Sequence, residues 1–251
     1  TALSQKRFDV LARNTTWTLQ REAEFGFLFA GVNFHDGQGF MVSAKLGVKG
    51  AKDLNGATIC VQTGTTTELN LADYFRTHKM EFRPVTIEKY EEVTAAYMAG
   101  RCDAITSDTS QLAAIRANDT PNPADHVILP ELISKEPLGP SVRHGDDQWF
   151  DLVKWSLYAM IDAEEKGITS KTVDEALASA DPNVASLLGK TGDIGKGMGV
   201  DNKWAYNIIK QVGNYGESFE RNVGKDSKLR LDRGLNAQWT KGGLQYSPPI
   251  R

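Results

Sequence analysis

Residues 56–118 alternate short β-branched apolar runs with segments of helical spacing, and this alternation limits the fold more than any other feature. GATICVQ (56–62) reads as a buried strand. TTTELNLADYFRTHKM follows, with Leu69, Ala72 and Phe75 at helix spacing. FRPVTI (82–87) is a second strand, and EKYEEVTAAYMAG (88–100) a helix with Tyr90, Val93, Ala96 and Tyr97 on one side. Gly100 ends it at a position where glycine commonly closes helices. RCDAITSD (101–108) is a third strand and TSQLAAIRAN (109–118) a further helix. Strand–helix–strand–helix–strand over so few residues predicts a parallel sheet covered by helices, an α/β unit.

The flanks are less regular. RFDVLARN (7–14), GFMVSAKLGV (39–48) and DHVILPEL (125–132) read as extended segments. Beyond Pro140 the chain turns helical. DDQWFDLVKWSLYAMIDAEEKG has Trp149, Val153, Leu157 and Met160 along one stripe, and further helices are expected over 170–179, 182–189 and 202–213. The Gly/Pro-rich tail reads as irregular.

Several function classes are excluded. A net charge of −3 does not supply the basic patch that a phosphate backbone requires, so nucleic acid is not the expected partner. The apolar stretches are too short to span a bilayer, and no leader peptide is read at the start. Cys60 and Cys102 stand without a CxxC or a Cys/His cluster, so no metal is expected; one disulfide or two free thiols both stand open. His35, His78, His126 and His144 are scattered without a nucleophile. HGDD (144–147) reads as a turn with acidic charges at a helix start. GDIGKGMG (192–199) follows no strand, so it is no dinucleotide loop, and neither a catalytic set nor a cofactor is expected.

Three polar clusters remain. QTGTTTE (62–68) lies where the first strand gives way to a helix, at the edge where α/β ligands bind. Thr65 and Glu68 have capping-box spacing, and the first-turn N–H groups make an anion site, so a plain cap and a ligand turn are both open. Asp108 follows the third strand at the same edge, where it either caps the next helix or receives a cation. Asn14, Thr16 and Arg21 form a cluster of their own, and arginine's planar fork suits a carboxylate.

The ordered set NTTWTxxR, then VxxGTTxE, then GRCDAxxxD resembles the solute-binding proteins of polar amino-acid ABC importers. KEPLGP, VRHGDDQWFD and NYGESFERN make it most similar to the general L-amino-acid-binding subgroup, and the likeness runs along the whole chain. The resemblance implies a two-lobed periplasmic-binding-protein-like II α/β fold. Residues 1–43 would be a remnant of lobe 1, 44–136 lobe 2, and 137–251 the return to lobe 1 with a helical extension. It implies that Arg21 holds a ligand α-carboxylate with the Thr66 backbone and hydroxyl. Asn14 and Thr16 add contacts, Thr65 lines the second lobe, Asp108 takes the α-ammonium, and Gln62 lies in the side-chain pocket. It implies a Cys60–Cys102 disulfide on adjacent strands, a Gram-negative periplasmic location, and an ABC permease in the inner membrane as partner. Family members begin with further strands and a helix of lobe 1. An incomplete lobe 1 is therefore expected here, with exposed apolar surface favouring a homodimer or complementation by another chain. The competing expectation is a catalytic relative such as a prephenate/arogenate dehydratase, for which Asp108 is the one candidate acid.

Overall fold

The structure, a computed structural model, describes residues 2–251. The chain forms two units: residues up to His35 together with Leu138–Arg251, and Asp36–Pro137. The first boundary falls at His35/Asp36 rather than after residue 43, because Gln38–Ser43 is an interior strand of the second unit's sheet.

In chain order the first unit contributes helix α1 (Leu19–Ala23) and strand β1 (Phe27–Phe29), and β2 (Phe34–Asp36) carries the chain out of it. The second unit holds β3 (Gln38–Ser43), β4 (Thr58–Gln62), α2 (Thr66–Thr77), β5 (Arg83–Ile87) and α3 (Tyr90–Met98). It continues with β6 (Ala104–Asp108), α4 (Thr109–Asn118) and β7 (His126–Ile128). The chain returns along β8 (Glu136–Leu138) to β9 (Ser141–Arg143) and the long helix α5 (Asp147–Glu165). Five shorter helices follow: α6 (Val173–Ala176), α7 (Pro182–Leu187), α8 (Ile194–Gly197), α9 (Trp204–Val212) and α10 (Tyr215–Asn222).

The second unit's sheet has the order β5-β4-β6-β3-β7. β4 is parallel to β5 and β6, as the strand–helix alternation predicts. β3 runs antiparallel to both β6 and β7, so the sheet is mixed. No helix precedes β3 to bring it round in the common direction; it starts directly from β2.

Alternation along the strands sorts two faces. Phe40, Val42, Ile59, Val61 and Ala104 pack with Leu71 and Phe75 of α2. Met41, Cys60 and Ile105 pack with Val93, Ala96 and Tyr97 of α3 and with Leu112 and Ile115 of α4. The same parity assigns Gln38, Thr106 and Asp108 to the α2 face, and Gln62 and Ser107 to the other. Cys60 and Cys102 form a disulfide on the α3/α4 face, with Cα atoms 5.7 Å apart. Cys102 precedes β6 by two residues instead of lying within it. Gly100 closes α3 with φ +70°, a left-handed conformation that glycine adopts without a steric penalty.

In the first unit the expected strand over 7–14 shrinks to one bridge, Leu11 with Ser141. The cause is the shortness of its partner. β9 has three residues, so its second edge, the one not taken by β1, offers little length for pairing. The helical layer has its own core of Ala159, Val173, Leu187, Trp204 and Ile209. The expected α5 stripe is buried at Leu157, while Trp149, Val153 and Met160 are half-buried. The tail is irregular but anchored. Arg233 makes paired 3.0 Å bonds to the two carboxylate oxygens of Glu164, donates to the Asn236 carbonyl, and lies over Tyr215 and Phe219. Near the start of the chain, Phe8, Trp17, Leu19 and Phe25 are exposed. No helix among the described residues is long and apolar enough to cross a membrane.

Candidate functional site

Each unit carries one set of the candidate residues. In the second unit, β4 ends at Gln62 and α2 starts four residues later. Gly64 has φ +71°, which lets the chain reverse within this short turn. Thr65 is the N-cap of α2: its hydroxyl accepts from the Glu68 N–H at 3.2 Å and donates to the Gln62 carbonyl at 2.7 Å. The reciprocal half of the expected capping box is displaced by one residue. Glu68 accepts from the Gly64 N–H at 2.7 Å and from the Thr63 hydroxyl at 3.2 Å. The hydroxyl of Thr66 donates to Glu136 at 3.3 Å. The Thr63 and Thr65 hydroxyls therefore build the turn. Its offer to an anion is the backbone, the first N–H groups at the positive end of a 12-residue helix.

Asp108 closes β6 on the α2 face, directly opposite Gln38 of β3. It is buried, and it occupies the N-cap position of α4 without capping it through its side chain. Asp36 does that work instead. Its carboxylate accepts from the Thr109 hydroxyl at 2.6 Å and the Ser110 N–H at 3.2 Å. Burial raises the Tyr90 hydroxyl pKa well above its ordinary value, and the nearby Asp108 and Asp119 charges push it the same way. Gln62 stands apart from Asp108 on the other face, with its amide donating to the Glu88 carbonyl at 2.9 Å.

Two further residues fix α2, and the sequence reading missed both. Glu136, almost fully buried, receives the Asn70 amide at 2.7 Å and the Ser134 hydroxyl at 2.6 Å, besides Thr66. Gln38, fully buried, donates to the Thr67 carbonyl and the Thr106 hydroxyl, each at 2.9 Å. Gln38 sits between two glycines in a run that reads as small and apolar; a lone polar residue there was the available signal.

In the first unit, Thr18 caps α1 by accepting from the Arg21 N–H at 3.2 Å. Arg21 Nη1 donates to the Thr16 carbonyl at 2.6 Å, a bond that uses one of the guanidinium's five donors and orients its plane. Thr16 is buried and bridges to Leu138, and Asn14 is exposed two residues before it. Trp17 stacks on Phe29, with ring centres 5.4 Å apart and planes 9° apart, and so holds this segment against β1. One unit thus presents an oriented cation. The other presents a carboxylate and a helix N-terminus on one side of its sheet.

The family pattern described as NMT1/THI5 like matches residues 15–132. The chain is 57% identical over 253 residues to the general L-amino acid-binding periplasmic protein AapJ of Rhizobium johnstonii, covering 100% of this chain and 74% of that protein. It is 56% identical over 252 residues, with the same coverage, to the putative amino-acid ABC transporter-binding protein YhdW of Escherichia coli K12. Among solved structures, an ABC transporter/periplasmic binding protein from Brucella ovis with glutathione bound superposes with a TM-score of 0.97 at 56% identity, over 100% of this chain and 79% of that one. The fold is that of the type II periplasmic binding proteins. With whole-chain identity at this level and a matching fold, the chain belongs to the family of amino-acid ABC transporter-binding proteins.

Proposed function

We propose that the chain binds L-amino acids as the solute-binding component of an ABC importer, in the periplasm of a Gram-negative cell, and passes them to a permease in the inner membrane. Arg21 takes the ligand α-carboxylate together with the first N–H groups of α2, and Asp108 takes the α-ammonium. Asn14 and Thr16 add polar contacts, Thr65 shapes the turn, and Gln62 stands at the side-chain end. The observation that carries this reading is the charge complement: an arginine oriented by a backbone carbonyl, and a buried carboxylate beside a helix N-terminus, match the two charges of a zwitterion. The names of the relatives point the same way. The disulfide suits an oxidising compartment.

The glutathione held by the Brucella ovis protein fits the same reading. Its γ-glutamyl end keeps a free α-amino and a free α-carboxylate group, so one clamp would serve amino acids and γ-glutamyl peptides alike.

A thermal-unfolding screen tests this. L-amino acids at about 100 times Kd stabilise by about 2.7 kcal/mol, whereas D-enantiomers at equal concentration leave the transition unmoved. A screen in which no L-amino acid and no γ-glutamyl peptide moves the transition would sink the proposal.

A further inference from the structure

Gln38 is fully buried, and its side-chain amide is only half used. Nε2 donates to the Thr67 carbonyl in the first turn of α2 and to the Thr106 hydroxyl on β6. Oε1 is buried without a hydrogen-bond partner. The amide cannot be flipped to relieve this. The Thr67 carbonyl can only accept, and the Thr106 hydroxyl already donates its proton to the Gly39 carbonyl at 2.7 Å. A buried unpaired acceptor destabilises a fold.

Neither partner needs Gln38 for its own satisfaction. The Thr67 carbonyl is the acceptor of the Leu71 N–H within the helix, and Thr106 has Gly39. An apolar side chain of similar length would remove the orphaned oxygen and leave no group newly unpaired. What such a side chain cannot do is tie α2's first turn to the sheet edge where Asp108 ends. Gln38 lies directly opposite Asp108 in the β3–β6 pair, on the same face, and reaches from there to Thr67.

We infer that Gln38 is a positioning residue for the ligand. It fixes the distance between the helix N-terminus that receives the carboxylate and the aspartate that receives the ammonium, and it does so against the stability of the fold. The inference rests on the zwitterion reading above, and its test has an arm that does not.

The full chain is compared with Gln38→Met and Gln38→Leu. Without ligand, both variants keep or raise the thermal midpoint, yet hydrogen exchange at the Glu68 and Leu71 amides, whose acceptors are Thr65 and Thr67, accelerates about tenfold. By calorimetry with L-glutamate, Kd rises about tenfold. A lower midpoint in both variants would reduce Gln38 to a structural residue and overturn the inference. So would unchanged exchange, or a Kd within twofold of wild type. A wild-type chain that binds no L-amino acid, alongside variants with fast exchange and intact midpoints, would overturn the zwitterion reading while the tether stands.

Discussion

Arg21→Ala is expected to weaken L-glutamate binding about a hundredfold, and Asp108→Asn by a similar factor. In the proposed site each substitution removes a charged hydrogen-bonding partner of the ligand, a loss of about 1.5–3 kcal/mol per bond, and the arginine fork can make two. α1 contributes no buried residue, so the stability cost of Arg21→Ala is confined to the bonds its guanidinium makes, that to the Thr16 carbonyl among them, and is read from the unfolding transition alongside the affinity. Arg21→Lys restores part of the affinity, because a lysine keeps the charge and loses the planar fork. Titration calorimetry on the three variants checks the set. Full affinity in Arg21→Ala would remove this residue from the site.

The second large effect concerns the fold around the other half of the clamp. Cys60 and Cys102 close a loop of 42 residues in sequence between β4 and the start of β6. In the chain-entropy picture such a crosslink contributes about 4 kcal/mol by restricting the unfolded chain. Cys60→Ala/Cys102→Ala is expected to lose about that much stability in urea at neutral pH. The position of the loss is also specified. All five tryptophans, Trp17, Trp149, Trp155, Trp204 and Trp239, lie in the first unit, so their fluorescence reports that unit alone. Three of the seven tyrosines, Tyr74, Tyr90 and Tyr97, lie in the second unit, so the tyrosine signal carries a contribution from the weakened unit that the tryptophan signal lacks. A shift in the tyrosine signal larger than in the tryptophan signal is the expected pattern. A loss below about 1 kcal/mol would show that the loop is already restricted in the unfolded chain.

The strand–helix alternation of 56–118 was legible because each element there is at least five residues long and has a clean period. β4, α2, α3, β6 and α4 appear where the pattern puts them. β1, β2, β8 and β9 were not legible as strands: three residues cannot display a period, and β1 meets its partner β9 more than a hundred positions away in sequence. α10 was missed for another reason. Its start depends on the reciprocal Asn214–Glu217 cap, and its sequence, YGESFERN, offers few apolar positions from which to read a helix.

For the proposed clamp, the sequence offers the charged residues and not the scaffolding around them. Asp108 and the Thr65 cap stand at a strand end and a helix start that the pattern marks, whereas Arg21 lies in a five-residue helix that the pattern does not show. Asp36, Gln38 and Glu136 act across 29 or more residues of sequence, and nothing local in the chain announces a partner that distant. The hydroxyl-rich turn illustrates both sides. Its spacing gave the cap, whereas the bond from Thr66 to Glu136 depends on a contact 70 residues on.

The proposed site reads both charges of one zwitterion. Titration calorimetry of the wild-type chain with L-glutamate, its N-acetyl derivative and its α-amide tests it most directly. L-glutamate binds, and each derivative, having lost one charge, binds about a hundredfold more weakly. N-acetyl-L-glutamate binding as tightly as L-glutamate would contradict the account.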